Sequence, residues 1–163
     1  WFRPPERSGG CITDLHIHDV DIIRYLFGEP EAVSCRASTS ICKFDTVHTS
    51  FFYGSTPITA VGDWTLTGLT FDASCRVEFE AATVVYAKNA LTFYPKDGRG
   101  SYVVPLENIS GYYGELDYFC DVIEGKIENQ KNPASSAAQT IRLIEHMRRS
   151  AEASGETVAF SAQ

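Results

Sequence analysis

The sequence has no Cys-x-x-Cys pair, no excess of basic charge, and no apolar run near the roughly 18 residues of a membrane span. Each absence narrows what the chain can be. Its five cysteines (Cys11, Cys35, Cys42, Cys75, Cys120) are scattered and odd in number, which predicts buried free thiols in a reducing, cytoplasmic compartment rather than a disulfide framework. Fourteen basic against 21 acidic side chains leave a net charge of −7, which speaks against a general nucleic-acid or anionic-membrane partner. No Gly-x-Gly-x-x-Gly follows a strand pattern, so the dinucleotide-binding fingerprint is missing. The opening residues lack the charged-then-apolar pattern of a signal peptide. Methionine occurs once, at Met147, and the first residue is Trp1, so the expectation is a piece of a longer protein.

What is present suits a globular domain. The chain has 163 residues, 44% of them hydrophobic, enough to bury a core without a disulfide or a metal. After a Pro- and Gly-rich lead-in, residues 13–28 repeat Leu15, Val20, Ile22, Ile23, Leu26 and Phe27 at helical spacing and stop at Gly28 and Pro30. Thr13 or Asp14 is the candidate cap. From about 32 to 105 come seven short β-branched and aromatic segments, separated by turn clusters such as Lys88-Asn89-Ala90. Connections this brief favour antiparallel hairpins. Two helices follow, at 112–124 and from Asn132-Pro133 to before Gly155, then a short strand at 157–160. The fold class is therefore α+β: an open, largely antiparallel β-sheet with helices packed on one face, a single sheet being the simplest packing.

The polar residues of the first helix carry the chemistry. At 100° per residue, Asp14, His18, Asp21 and Tyr25 fall within roughly 60° of one another. Asp14 and His18 are one turn apart. A carboxylate beside an imidazole fixes its tautomer and stabilises its protonated form, so the ring can accept a substrate proton near neutral pH. The same stripe also reads as a solvated face. Asp14-Leu15-His16-Ile17-His18 further spells the Asp-x-His-x-His start of metal-dependent hydrolases. That motif ends a strand and needs further ligands, whereas here a helix pattern runs on and only His48 and His146 remain.

Ser8-Gly9-Gly10-Cys11-Ile12-Thr13-Asp14-Leu15-His16-Ile17-His18-Asp19-Val20-Asp21, followed by Tyr25-Leu26-Phe27-Gly28-Glu29-Pro30, resembles the opening of the C-terminal domain in the glucose–fructose oxidoreductase / inositol dehydrogenase / rhizopine-catabolism (Gfo/Idh/MocA) family. Tyr112-Tyr113-Gly114-Glu115-Leu116-Asp117-Tyr118-Phe119 resembles its Tyr-x-x-Glu-x-x-x-Phe helix. Residues 150–158 resemble its closing Ser-x-x-x-Gly-x-x-Val. Trp1-Phe2 resembles the middle of the pattern before the Gly-Gly, so the first strand of the domain is expected to be missing.

The resemblance implies a dihydrodipicolinate-reductase-like C-terminal domain over residues 1–163. It would bind substrate, form the oligomer, and lack the N-terminal Rossmann domain that holds NAD or NADP. It implies oxidation of a secondary alcohol of a sugar, polyol or cyclitol, with His18 as general acid/base and Asp14 orienting it. Tyr112 matches a position near substrate in some members, and Asp21 and Tyr25 are weaker candidates, with Asp21 better read as a structural tie. No residue here is expected to bind the cofactor or a metal, and the chain alone is expected to be inactive. The expected partners are a sugar or polyol and further copies of the chain through the open sheet face, with no nucleic acid and no membrane. Two alternatives stand beside this: a non-catalytic sugar-binding or scaffold relative, and the metal-dependent hydrolase. Candidates for an apolar patch on the open sheet face are Val47, Phe51, Val61 and Val77.

Overall fold

The structure, a computed structural model, describes residues 4–106 and 110–161. Trp1 and Phe2, which carry the expectation of a missing first strand, lie outside the described residues. The chain divides into two compact units, residues 1–66 with 129–163, and residues 67–128.

In the first unit, α1 (Pro5–Ser8), α2 (Cys11–Asp14) and α3 (His16–Phe27) precede the strands β1 (Ala32–Ser38), β2 (Thr46–Tyr53) and β3 (Thr56–Asp63). The long helix α5 (Ala134–Glu152) and the short strand β8 (Val158–Ala159) return to the same unit. The sheet order is β3-β2-β1-β8 and every pairing is antiparallel. Strand alternation sets the two faces. Val33 and Cys35 of β1 and Val47, Thr49 and Phe51 of β2 are buried. They share one core with Ile12, Val20, Ile23, Leu143, Ile144 and Met147. Their neighbours Arg36, His48 and Val61 are cross-strand partners on the opposite face, and all three are exposed. Val47 and Phe51 therefore belong to the core rather than to the open face, whereas Val61 lies on that face. Phe51 lies in the core, Tyr53 and Trp64 pack against it, and Phe52 is exposed; Tyr53 also donates its hydroxyl to the Gly28 carbonyl at 2.8 Å.

The second unit holds β4 (Cys75–Glu78), β5 (Ala82–Ala87), β6 (Ala90–Pro95), β7 (Tyr102–Val104) and α4 (Gly111–Ile123). Its strands form an antiparallel meander in chain order. Lys88 and Asn89, with φ of 51° and 58°, make the two-residue turn between β5 and β6. Both central residues are left-handed, as a type I′ hairpin requires. α4 has no buried residue, and its apolar Leu116, Phe119 and Ile123 are exposed.

The α+β class and antiparallel pairing hold, and every expected strand is present. The strands divide into two four-stranded sheets, where the simplest packing had one. Two helix starts also differ from expectation. The helical segment expected over 13–28 begins at Cys11 after Gly10 rather than at a Thr13 or Asp14 cap, and it breaks at Leu15. α5 is preceded by Pro133, not Asn132, as its cap residue. Three cysteines are buried as expected; Cys75 and Cys120 are exposed.

Candidate functional site

The entry to the first helix is fixed by two glycines. Gly9 and Gly10 have φ of 76° and 80°, and a Cβ on Gly10 would lie 2.2 Å from the Lys43 carbonyl oxygen. Only glycine accepts that torsion and that approach together. α2 therefore starts against the loop before β2, and Asp14 falls at its last position.

Leu15 joins the two helices with φ −104° and ψ −57°, still helical in sense. Its N–H bonds back to Cys11 at 3.0 Å, and the His18 N–H bonds back to Leu15 at 3.2 Å. The chain thus tightens without unwinding, and Asp14 and His18 remain one turn apart. Asp14 is half-buried and His18 exposed. No hydrogen bond or ion pair joins them among the described residues, and the His18 ring is exposed.

The other stripe residues behave differently. Asp21 Oδ1 accepts from the Thr140 hydroxyl at 2.6 Å and lies 3.8 Å from the Arg24 guanidinium, tying α3 to α5. Tyr25 is 67% exposed. Tyr112 stands on the first turn of α4 in the second unit, also exposed.

His16, between the two candidate groups in sequence, is fully buried. Its Nδ1 lies 2.8 Å from Asp19 Oδ2 and its Nε2 3.0 Å from Thr49 Oγ1. Both ring nitrogens are therefore engaged by protein, and His16 and His18 differ entirely in access. The Asp14-x-His16-x-His18 spelling is thus not a ligand triad but a helix with one ring turned in and one turned out. Among the described residues no group of three or more His, Cys, Asp or Glu side chains is arranged to hold a metal ion. His48 is an exposed strand residue, and His146 sits on α5 with Nδ1 2.8 Å from the Arg142 carbonyl, edge-on to Phe160.

Two polar clusters escaped the sequence reading. One is the Asp19–His16–Thr49 chain; the His16/Asp19 spacing of three is legible on a helix, but Thr49 lies 33 residues away. The other is Asp45, wholly buried, which accepts from the Ser38 hydroxyl and from the N–H groups of Ser40, Ile41 and Cys42. Burial pushes its carboxyl up, but these hydrogen bonds outweigh that and hold it at about 2. It shapes the loop whose Lys43 carbonyl meets Gly10.

All strand pairings among the described residues are antiparallel, so the parallel strand–loop–helix unit that cradles a pyrophosphate is absent from them. No helix is long and apolar enough to cross a membrane among the described residues.

The family profile described as "GFO/IDH/MocA C-terminal domain" matches residues 1–100. No curated protein matches the chain. Among solved structures, UDP-N-acetylglucosamine 3-dehydrogenase GnnA from Acidithiobacillus ferrooxidans is similar at 18% identity and a TM-score of 0.79, covering 93% of this chain and 50% of that one. The WlbA dehydrogenase from Bordetella pertussis, solved with NADH and UDP-GlcNAcA, is similar at 17% identity and a TM-score of 0.74, covering 100% of this chain and 52% of that one. An oxidoreductase from Agrobacterium radiobacter, solved with NAD+, L-tartaric acid and magnesium, is similar at 18% identity and a TM-score of 0.72, covering 91% and 48%. The chain spans about half the length of these structures. At such identities the likeness is one of fold.

Proposed function

Because the chain belongs to the GFO/IDH/MocA C-terminal domain family, we propose that it is the substrate-binding domain of a nicotinamide-dependent oxidoreductase acting on a secondary alcohol of a sugar, polyol or cyclitol. NADH, NAD+ and a nucleotide sugar in the structures of WlbA and the Agrobacterium protein support the cofactor and the substrate class. The single observation that carries the reading is His18, exposed one turn from the half-buried Asp14.

In this reading His18 accepts the proton of the substrate hydroxyl as the carbonyl forms, and returns it in the reverse direction. Asp14, one turn away and not bonded to the ring in this structure, is the carboxylate assigned to orienting it once substrate is bound. A nicotinamide, held by a Rossmann domain elsewhere in a longer protein, would supply the hydride acceptor. The residues described here do not themselves fit a dinucleotide, so this chain alone is expected to show no turnover. Asp21 acts as the tie between α3 and α5; Tyr25 is a candidate substrate contact. Tyr112 rests on the motif resemblance alone and carries no part of this mechanism. The exposed Arg36/His48/Val61 face is assigned to self-association, and five cysteines without a disulfide support a cytoplasmic setting.

The test uses the full-length protein with a panel of sugars, polyols, cyclitols and nucleotide sugars, following reduced nicotinamide. His18→Ala should lower turnover by about 10²–10⁴-fold while leaving dinucleotide affinity unchanged. Wild-type turnover in His18→Ala would overturn the assignment.

A further inference from the structure

We propose that His16 is a positioning residue for the Asp14/His18 pair, clamping the joint between α2 and α3 to β2. The inference rests on the proposed roles of Asp14 and His18, and it concerns what sets their relative placement.

Asp14 ends α2 and His18 lies in the first turn of α3, so their separation depends on the joint at Leu15 and on the placement of His16, which opens α3. Leu15 is half-buried and has no polar side chain. His16 is the one side chain in 13–18, among the described residues, that hydrogen-bonds to a strand. Three contacts fix its ring: Asp19 Oδ2 on Nδ1 at 2.8 Å, Thr49 Oγ1 on Nε2 at 3.0 Å, and the bare backbone of Gly62. A Cβ on Gly62 would come within 3.0 Å of His16 Cβ and 3.2 Å of its Cγ and Nδ1, so β3 is cut to fit the ring. Two hydrogen bonds to opposite edges of a flat ring leave it almost no rotational freedom, and the backbone that bears it is held with it.

The Asp19–His16–Thr49 chain has the atom order of a nucleophile triad. Its terminal hydroxyl is sealed, however: Thr49 is 2% exposed and lies 3.5 Å from the buried Cys35 thiol. No substrate reaches that hydroxyl, so the chain acts by holding rather than by reacting. The charged groups on the same helical segment are Asp14, Asp19, Asp21 and Arg24. Asp19 is spent on His16, and Asp21 and Arg24 on α5 and Glu29. That leaves Asp14 as the carboxylate whose distance from His18 the clamp sets.

Ring-15N histidine labelling reads His18 once its signal is assigned by its loss in His18→Ala. The quantity read is the change in the His18 titration midpoint caused by Asp14→Asn. It is measured in the wild type, in Thr49→Val, which removes the hydroxyl at constant shape, and in Thr49→Ser, which restores it. The expected result is a clear change in the wild type, reduced at least twofold in Thr49→Val and recovered in Thr49→Ser. Should Thr49→Val fail to fold, Asp19→Ala removes the ring's other, 44%-exposed partner, with the same expectation. An undiminished Asp14 effect in a folded but less stable clamp variant overturns the positioning role and leaves the Asp14/His18 pair standing. No Asp14 effect in the wild type overturns the pair and the clamp together.

Discussion

The Thr140 hydroxyl donates to Asp21 Oδ1 at 2.6 Å, joining the middle of α5 to the stripe of α3 that also bears His18. Arg24 reinforces the joint: its guanidinium donates to the Thr140 Oγ1 and, at 3.0 Å, to the Ser136 carbonyl, while pairing with Glu29 on its other edge. The hydrogen bond to Glu29 raises the Arg24 pKa further above its ordinary value, so the charge is permanent. Thr140→Val therefore strips a donor from Asp21 and an acceptor from a buried cation at once. The expected loss is about 1–3 kcal/mol of unfolding free energy, read by urea denaturation. A change within about 0.5 kcal/mol, as for an ordinary surface substitution, would show that the tie contributes nothing.

Gly10 and Gly62 are both tight, but for different reasons, and alanine separates them. At Gly62 the backbone torsion is ordinary, and the added methyl meets the His16 side chain at 3.0 Å. At Gly10 the φ is 80° and the methyl meets a backbone carbonyl at 2.2 Å. A side chain yields where a carbonyl in a hydrogen-bonded loop does not. Gly62→Ala should cost about 1–3 kcal/mol and still fold. Gly10→Ala should cost more, by thermal or urea melting, or yield no folded protein. Equal and small losses would mean the entry to α2 is looser than the structure has it.

Much of this is legible in the sequence. Period-two alternation along 46–53 and the turn residues Lys88-Asn89 are local signals, and they produced β2 and the β5–β6 hairpin where expected. Which side of β2 is covered is not local: Val47 and His48 are equally plausible inward until α5 is seen to pack on the Val47 face. The stripe Asp14, His18, Asp21, Tyr25 was readable from helical spacing, and His18 and Tyr25 do face outward. Helical spacing alone does not reveal that Asp21 is taken by Thr140, 119 residues on, or that His16 turns inward to Thr49. The break at Leu15 was invisible for a similar reason. Nothing in Leu15 stops a helix; the conformation follows from anchoring Gly10 and His16 to different parts of the sheet unit.

The five thiols should divide cleanly under alkylation. Burial pushes the Cys11 thiol up to about 12, with the Asp63 and Asp19 charges adding to it, and burial likewise raises Cys35. A thiol so shifted holds almost no thiolate near neutral pH, and the thiolate is the nucleophile. Cys42 is also buried, whereas Cys75 and Cys120 are exposed. Native protein treated briefly with iodoacetamide near pH 8 should be modified at Cys75 and Cys120 alone, and denatured protein at all five, by peptide mass spectrometry. Early modification of Cys11 would contradict the packing at the start of α2.

Asp45 makes the loop between β1 and β2 a source of acid sensitivity. Its carboxyl has an ordinary value of 3.8 and is held at about 2 in the fold, where three backbone N–H groups and the Ser38 hydroxyl favour the ionised form over the opposing cost of burial. A folded-state value below the unfolded one means that the ionised group stabilises the fold above about pH 4, and that this contribution fades as the pH falls toward 2. The gap of nearly two pH units corresponds to about 2 kcal/mol. Asp63 is lowered too, opposed by its burial and aided by Thr65 and Thr46, so acid destabilises the wild type through more than one group. The difference between wild type and Asp45→Asn isolates the one in question, because an amide cannot accept at both positions and does not titrate. Urea midpoints measured from pH 6 to pH 2 should show Asp45→Asn less stable by roughly 2 kcal/mol at the upper end, with the two proteins converging at the lower end. Parallel curves across the whole range would mean that Asp45 is not the group whose protonation loosens the loop against which Gly10 is seated.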